Sequence, residues 1–182
     1  AVLYKQRSYW FVNYTGAATE AQAFSFQPVG FYDGPASPAA VVDVQGSHIP
    51  ITPTGRLRLL SATRMDWILD FLWPKIRADI DTTRSGQIFG VFDPTYQEVT
   101  FVYPSLANAS QMTGMVLLTI PNTAVGLTES GGFPGTLSDA MTAGTTVRLT
   151  DLRDRVLMAG TAANRTYEWT TGVAQDDTED FG

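Results

Sequence analysis

Cysteine is absent from the 182-residue chain, and histidine occurs once, at His48. The first absence excludes disulfides, thiolate metal sites and a thiol nucleophile. The second leaves a Ser-His-Asp triad or a histidine metal site to rest on one side chain, and His48, beside Ser47 and shortly before Pro50, reads as a loop histidine. Basic residues are also scarce: 12 Lys and Arg against 18 Asp and Glu leave a net charge of −6. That balance argues against a free-standing nucleic-acid-binding module, which needs clustered cations for phosphates. No apolar run approaches the length of a membrane span, and the first seven residues lack the charged-then-apolar order of a signal peptide. The chain opens on Ala1 instead of Met and closes on the acidic stretch "QDDTEDFG", so it reads as a piece of something longer or a processed product.

What is present is apolar, aromatic and rich in turns. A composition of 44% hydrophobic and 12% aromatic residues supports a core, while Gly 16, Pro 10 and many Thr and Val point to a mainly β unit over residues 1–182. In "GQIFGVFDPTYQEVTFVYPS" two alternating runs, Gln87–Phe92 and Glu98–Tyr103, flank Asp93-Pro94. Pro94 sets φ for the first corner of a type I turn and Asp93 bonds forward to the backbone, so an antiparallel hairpin is expected. Both faces of both strands are largely apolar, which suits a sheet covered on two sides. A second hairpin is expected between Val156–Ala159 and Thr166–Trp169. "SGGFPGTLSDAMTAG" reads as a glycine-rich loop. Only "SATRMDWILDFLWPKIRADI" has a helical period: Thr63 with Asp66 resembles a capping box, Ile68, Phe71, Leu72, Ile76 and Ile80 form a stripe, and Pro74 should end or kink the helix. One short helical segment near residues 63–80 is therefore expected among propeller-like antiparallel blades or meanders, since hairpins recur at roughly 40 to 50 residues, the spacing of propeller blades.

The phrase "GVFDPTYQEVTFVYPS" resembles one that recurs in the tail nozzle (packaged-DNA stabilisation) proteins of short-tailed bacteriophages, which carry β-propeller blades. "DRVLMAGTAANRTYEWTTG" is similar to the next-blade phrase of those proteins, and "MDWILDFLWPKIRADID" looks like their short aromatic-rich helix between blades. The resemblance implies a structural virion protein: part of a ring of identical copies in the phage tail, touching other tail proteins, with DNA passing through its channel without sequence-specific binding. Separately, the residues offer no nucleophile-base constellation and no metal cluster, so no enzyme activity, cofactor or metal is expected.

Candidate side chains divide between assembly and chemistry. Trp67, Phe71, Trp73 and Trp169 are interface or packing candidates, the first three expected at a buried seam. Asp176, Asp177, Glu179 and Asp180 are candidates for an acidic rim or lumen; they lack the glycine and spacing of a calcium loop. The competing reading is a carbohydrate-binding or glycan-cleaving β domain. It would use the tryptophans with Tyr103 and Tyr167 as platforms and Asp66, Asp70 or Glu98 as acid and base. Asp66 and Asp70 at i,i+4 on one helix would repel each other, so replacing both by Asn is expected to leave stability equal or slightly higher. Asp180-Phe181-Gly182 spells a kinase magnesium motif without its companions, and the three sequons at Asn13, Asn108 and Asn164 arise freely in a Thr-rich chain.

Overall fold

The computed structural model describes residues 1–16, 23–31, 34–61, 65–119, 122–123, 126–127, 131–137, 140–148, 154–160 and 166–169. They form a row of antiparallel sheets. The first sheet is a meander of β1 (Val2–Lys5), β2 (Ser8–Tyr14) and β3 (Phe24–Phe31). Pro28 sits in β3, an edge strand, where its missing N–H costs no ladder bond.

The second sheet runs in chain order through β4 (Val41–Val44), β5 (Ser47–Pro50), β6 (Leu57–Leu60) and β7 (Met65–Ile68). Its first reversal is the two-residue turn Gln45-Gly46, with φ of 53° and 83°, and the Asp43 carboxylate accepts from the Gly46 N–H at 2.9 Å. Positive φ at both corners matches the right-handed strand twist. His48 lies in β5, across from Asp43, so it is a strand residue and not a loop one.

The region read as one helix over residues 63–80 is a strand, a turn and a short helix. Met65–Ile68 pairs with β6, Leu69 turns the chain with φ of 52°, and α1 covers only Trp73–Asp79. Pro74 explains the difference: with no N–H it is poorly placed inside a helix but well placed in the first turn, where that N–H would have no partner. It therefore starts the helix. Ile68, Leu72, Ile76 and Ile80 are buried as the stripe requires, whereas Phe71 is 65% exposed. Thr63 lies outside the described residues, and Asp66, in β7, completes no capping box.

The third sheet holds β8 (Phe89–Asp93), β9 (Glu98–Ser105) and β10 (Gln111–Thr119). The chain then passes through the small pair β11 (Asn122–Thr123) and β12 (Gly126–Leu127) and returns as β13 (Gly131–Thr136) beside β10. The expected hairpin is present, with Phe92 across from Val99 and Phe89 across from Val102. Its first strand starts at Phe89 because Thr82–Gln87 forms a 3-10 turn. Asp93 Oδ1 accepts from the N–H groups of Thr95 at 2.8 Å and Tyr96 at 3.2 Å, the forward bonding that its position before Pro94 requires. Much of the supposed glycine-rich loop is strand instead: Gly131–Thr136 forms β13, and β14 begins at Met141.

The fourth sheet is β14 (Met141–Arg148), β15 (Asp154–Gly160) and β16 (Thr166–Trp169). Val156–Ala159 pairs with Thr166–Trp169 as expected.

The third sheet is covered on both faces, which is why both of its faces are apolar. Val99, Phe101 and Tyr103 of β9 point into a core shared with Val42, Ile49, Leu57 and Ile76. Phe89, Val91 and Val102 point the other way, into a core shared with Met141, Val156 and Met158. Fully burying each such side chain contributes about 1.5 to 3 kcal/mol, so these two seams join the second, third and fourth sheets.

Candidate functional site

The first strands of three successive sheets, β4, β8 and β14, lie next to one another. Glycine permits the approach. A Cβ added at Gly90 would lie 2.5 Å from Val42 Cγ2, and one added at Gly144 would lie 2.8 Å from Val91 Cγ1. Where the three strands meet there is an open cleft of about 370 Å³ lined by residues that include Val42, Asp43, Gly90, Phe92, Gly144 and Thr146. The Thr146 hydroxyl donates to the Phe92 carbonyl, tying β14 to β8 without a sheet ladder.

A second cleft, of about 700 Å³, opens beside it, with Phe89, Met112 and Met141 among its apolar lining and Arg84, Gln87 and Gln111 among its polar lining. The Arg84 guanidinium donates to the Ser110 carbonyl at 2.8 Å. Nearby, hydrogen bonds from Ser110 and Thr83, then the charge of Arg84, hold the Asp81 carboxyl below the usual carboxylate range. Any stability this exposed group contributes is present above its unfolded pKa and is lost as pH falls through the lowered one. Among the described residues, Asp43 is the ionisable group lining the first cleft and Arg84 the one lining the second, so neither cleft pairs an acid with a base.

His48 belongs to the joint between the first and second sheets. The Tyr4 hydroxyl hydrogen-bonds His48 Nδ1, the two rings stack with centroids 5.7 Å apart, and His48 Nε2 faces the Asp43 carboxylate at 3.9 Å. Burial, followed by the neighbouring Tyr9 and Asp43, raises the Tyr4 pKa. The phenol therefore stays protonated, and the trio links the first sheet to the second. Tyr103, a possible platform residue on aromatic character alone, is 2% exposed and fills core. Its hydroxyl donates to Asp79 at 3.2 Å, and the same carboxylate accepts from Ser105 Oγ at 2.7 Å and the Ala107 N–H at 3.2 Å. Burial first, then Asp79, raises the Tyr103 pKa, and the group pins the end of α1 to β9.

Trp67 and Trp73 do come together, through arginines that the sequence reading passed over. The Arg56 guanidinium lies 4.0 Å from the Trp67 ring centroid and 5.1 Å from that of Trp73; Arg58 covers Trp67 at 3.7 Å and Arg77 covers Trp73 at 5.1 Å. Alternation in "GRLRLL" was the available signal, since it puts Arg56 and Arg58 on one face of the strand. Both tryptophans are half-buried under cations and Phe71 is exposed, so Phe71 fills no seam within the described chain. Trp169 falls in β16; Asp176, Asp177, Glu179 and Asp180 lie outside the described residues.

The carboxylates of the glycan reading do not share a site. Asp66 is in β7, Asp70 follows it in a turn, and Glu98 opens β9 across from Asp93. Asp70 takes two bonds from Arg56, at 3.0 and 3.2 Å. The expected relief of repulsion between Asp66 and Asp70 therefore has no basis. Asp70→Asn is expected to lower stability by about 0.5 kcal/mol, as for an exposed ion pair with good geometry, and the midpoint of urea unfolding checks it. Among the described residues no group of three or more His, Cys, Asp or Glu is placed to hold a metal ion, and no helix is long and apolar enough to cross a membrane. No protein family matches the chain, and no curated protein sequence matches it.

Proposed function

We propose that this chain is a structural subunit of a short-tailed phage tail, a nozzle-type component whose sheets are propeller-like blades and whose copies form part of a ring around the DNA exit channel. The observation that carries the reading is the side-by-side placement of β4, β8 and β14. Successive antiparallel meanders whose first strands lie along one cleft support a propeller-like reading, since blades of a propeller turn one strand each toward a common axis. The phrase resemblance points the same way. Function then resides in shape and contact area, and the net charge of −6 favours a channel to which DNA does not adhere.

Against the glycan reading, Trp67 and Trp73 are covered by cations. A sugar stacks on an open ring face, and here Arg56 and Arg58 lie over Trp67 while Arg56 and Arg77 lie over Trp73. An oligosaccharide array is expected to give no signal with the whole chain; a specific glycan hit would favour the competing reading. The tail assignment is tested on virions that carry the chain, by immunogold electron microscopy. Label at the tail is expected, and label on capsids alone, or no label on particles, would overturn it.

A further inference from the structure

In a chain without cysteine, methionine sulfur is the group that a peroxide attacks most readily. Five methionines are present, and the fold sorts them. Met112, Met115, Met141 and Met158 lie in the core shared by the third and fourth sheets, none of them more than 8% exposed. Met65 is 36% exposed. It opens β7, an edge strand, across from Leu60 of β6. Alternation puts Met65 and Trp67 on one face of β7, and Arg58, across from Trp67, shares that face.

The surroundings of the Met65 sulfur are equally specific. Arg58 Nη1 donates to Met65 Sδ at 3.7 Å. The same guanidinium lies 3.7 Å from the Trp67 ring centroid and 5.4 Å from that of Tyr9, and Arg58 is buried. Two rings hold the donor, and a guanidinium stacked on a ring keeps its N–H groups in its own plane for acceptors. A thioether is a weak acceptor for such a donor. A sulfoxide oxygen, at the negative end of a polarised S–O bond, is a strong one. With sulfur and nitrogen 3.7 Å apart, an oxygen bonded to that sulfur reaches charge-assisted hydrogen-bond distance from the same nitrogen, about 2.8 Å, by rotation of the flexible methionine side chain alone.

We infer that Met65 is a modification site, the methionine of this chain that hydrogen peroxide converts to the sulfoxide first, and that Arg58 receives the product. The sulfur lone pair attacks one peroxide oxygen and the O–O bond breaks. The departing hydroxide takes the proton left on the transferred oxygen and leaves as water, so sulfur loses two electrons and the peroxide gains them. The bond from Arg58 then changes from weak to charge-assisted. Arg58 lies between Trp67 of the second sheet and Tyr9 of the first, so oxidation tightens the joint between those sheets. That is the reverse of the usual lesion, in which a sulfoxide puts a polar group into a core. The inference goes beyond the ring-subunit reading and does not depend on it.

The test adds hydrogen peroxide to the whole chain and follows the five methionines over time by peptide mapping and mass spectrometry. Met65 is expected to gain oxygen at least about tenfold faster than any other, since susceptibility follows exposure. Met112 and Met141, which line the larger cleft, are expected next. In the protein oxidised at Met65, the Arg58 Nε–H signal is expected to shift in nitrogen-resolved NMR, and the amides of β1 and β2 to exchange at least about threefold more slowly. Met65→Leu removes the acceptor, and the same dose of peroxide is expected to leave its Arg58 signal and its exchange unchanged. Met65→Gln, whose amide oxygen stands in for the sulfoxide oxygen, is expected to show the slower exchange without peroxide. Oxidation of Met112 or Met141 as fast as that of Met65 would overturn the site. An unmoved Arg58 signal after Met65 is oxidised, or exchange in β1 and β2 that does not slow, would overturn the part given to Arg58.

Discussion

Phe101→Ala is expected to lower stability by about 4 kcal/mol, in the middle of the range for truncating a buried aromatic ring. Phe101 is 0% exposed and stands in the middle of β9, between Gly90 of β8 and Val116 of β10. Its ring lies so close to Gly90 that a Cβ there would come within 2.5 Å of Cε1. The neighbour best placed to fill a vacated site thus has no side chain to move into it. Val42, on the far side of the seam, is held in its own ladder with Ile49. Collapse is restricted, and the cavity term stays near full size. For a domain of this length the loss corresponds to roughly 10 °C in melting temperature. Phe24→Ala is the control: its ring is 56% exposed, so the change should fall within about 0.5 kcal/mol. The midpoints of guanidinium unfolding of the two variants decide the matter. A Phe101→Ala loss no larger than that of Phe24→Ala would mean that the seam between the second and third sheets does not carry the fold.

The elements legible in the sequence are those whose determinants are local. Asp93 and Pro94 encode a reversal with their own atoms, and the flanking alternation sets the register of β8 with β9. The two-sided apolar pattern of that hairpin also announced that sheets would cover it on both faces. Where determinants are distant, the reading failed. Gly131-Gly132-Phe133-Pro134-Gly135-Thr136 has the composition of a turn, and it is a strand because β10 supplies the ladder. The spacing of Ile68, Leu72, Ile76 and Ile80 fits a helix, but a strand, a turn and a helix bury the same residues once Pro74 is placed at the helix start. Of the candidate side chains, Trp67 and Trp73 were found from their aromatic character, while Arg56 and Arg58 were missed because cation–π stacking depends on how β6, β7 and α1 pack. The link from Tyr4 to His48 joins residues 44 positions apart, and nothing in either neighbourhood announces it.

Gly34→Ala is expected to detach the first sheet from the second. A Cβ at position 34 would lie 2.2 Å from the Lys5 carbonyl oxygen and 2.4 Å from that of Gln6, the residues that end β1 and begin its turn. Carbonyl oxygens cannot rotate away as a side-chain tip can, so the turn must shift as a body. A cost of about 3 kcal/mol follows, the upper part of the usual range for overpacking. The turn it displaces follows Tyr4, and its far end leads into Tyr9, the two residues through which the first sheet meets His48 and Arg58. The cores joining the second, third and fourth sheets contain neither residue. The effect should therefore be local: amides of β1 and β2 exchange with solvent at least about a hundredfold faster, as that free-energy cost implies, while those of β9 and β10 keep their protection. Exposure of Tyr9 should also raise aggregation. Uniform loss of protection across all four sheets would instead make the chain one cooperative unit, and unchanged exchange in β1 would mean that the turn accommodates the methyl group.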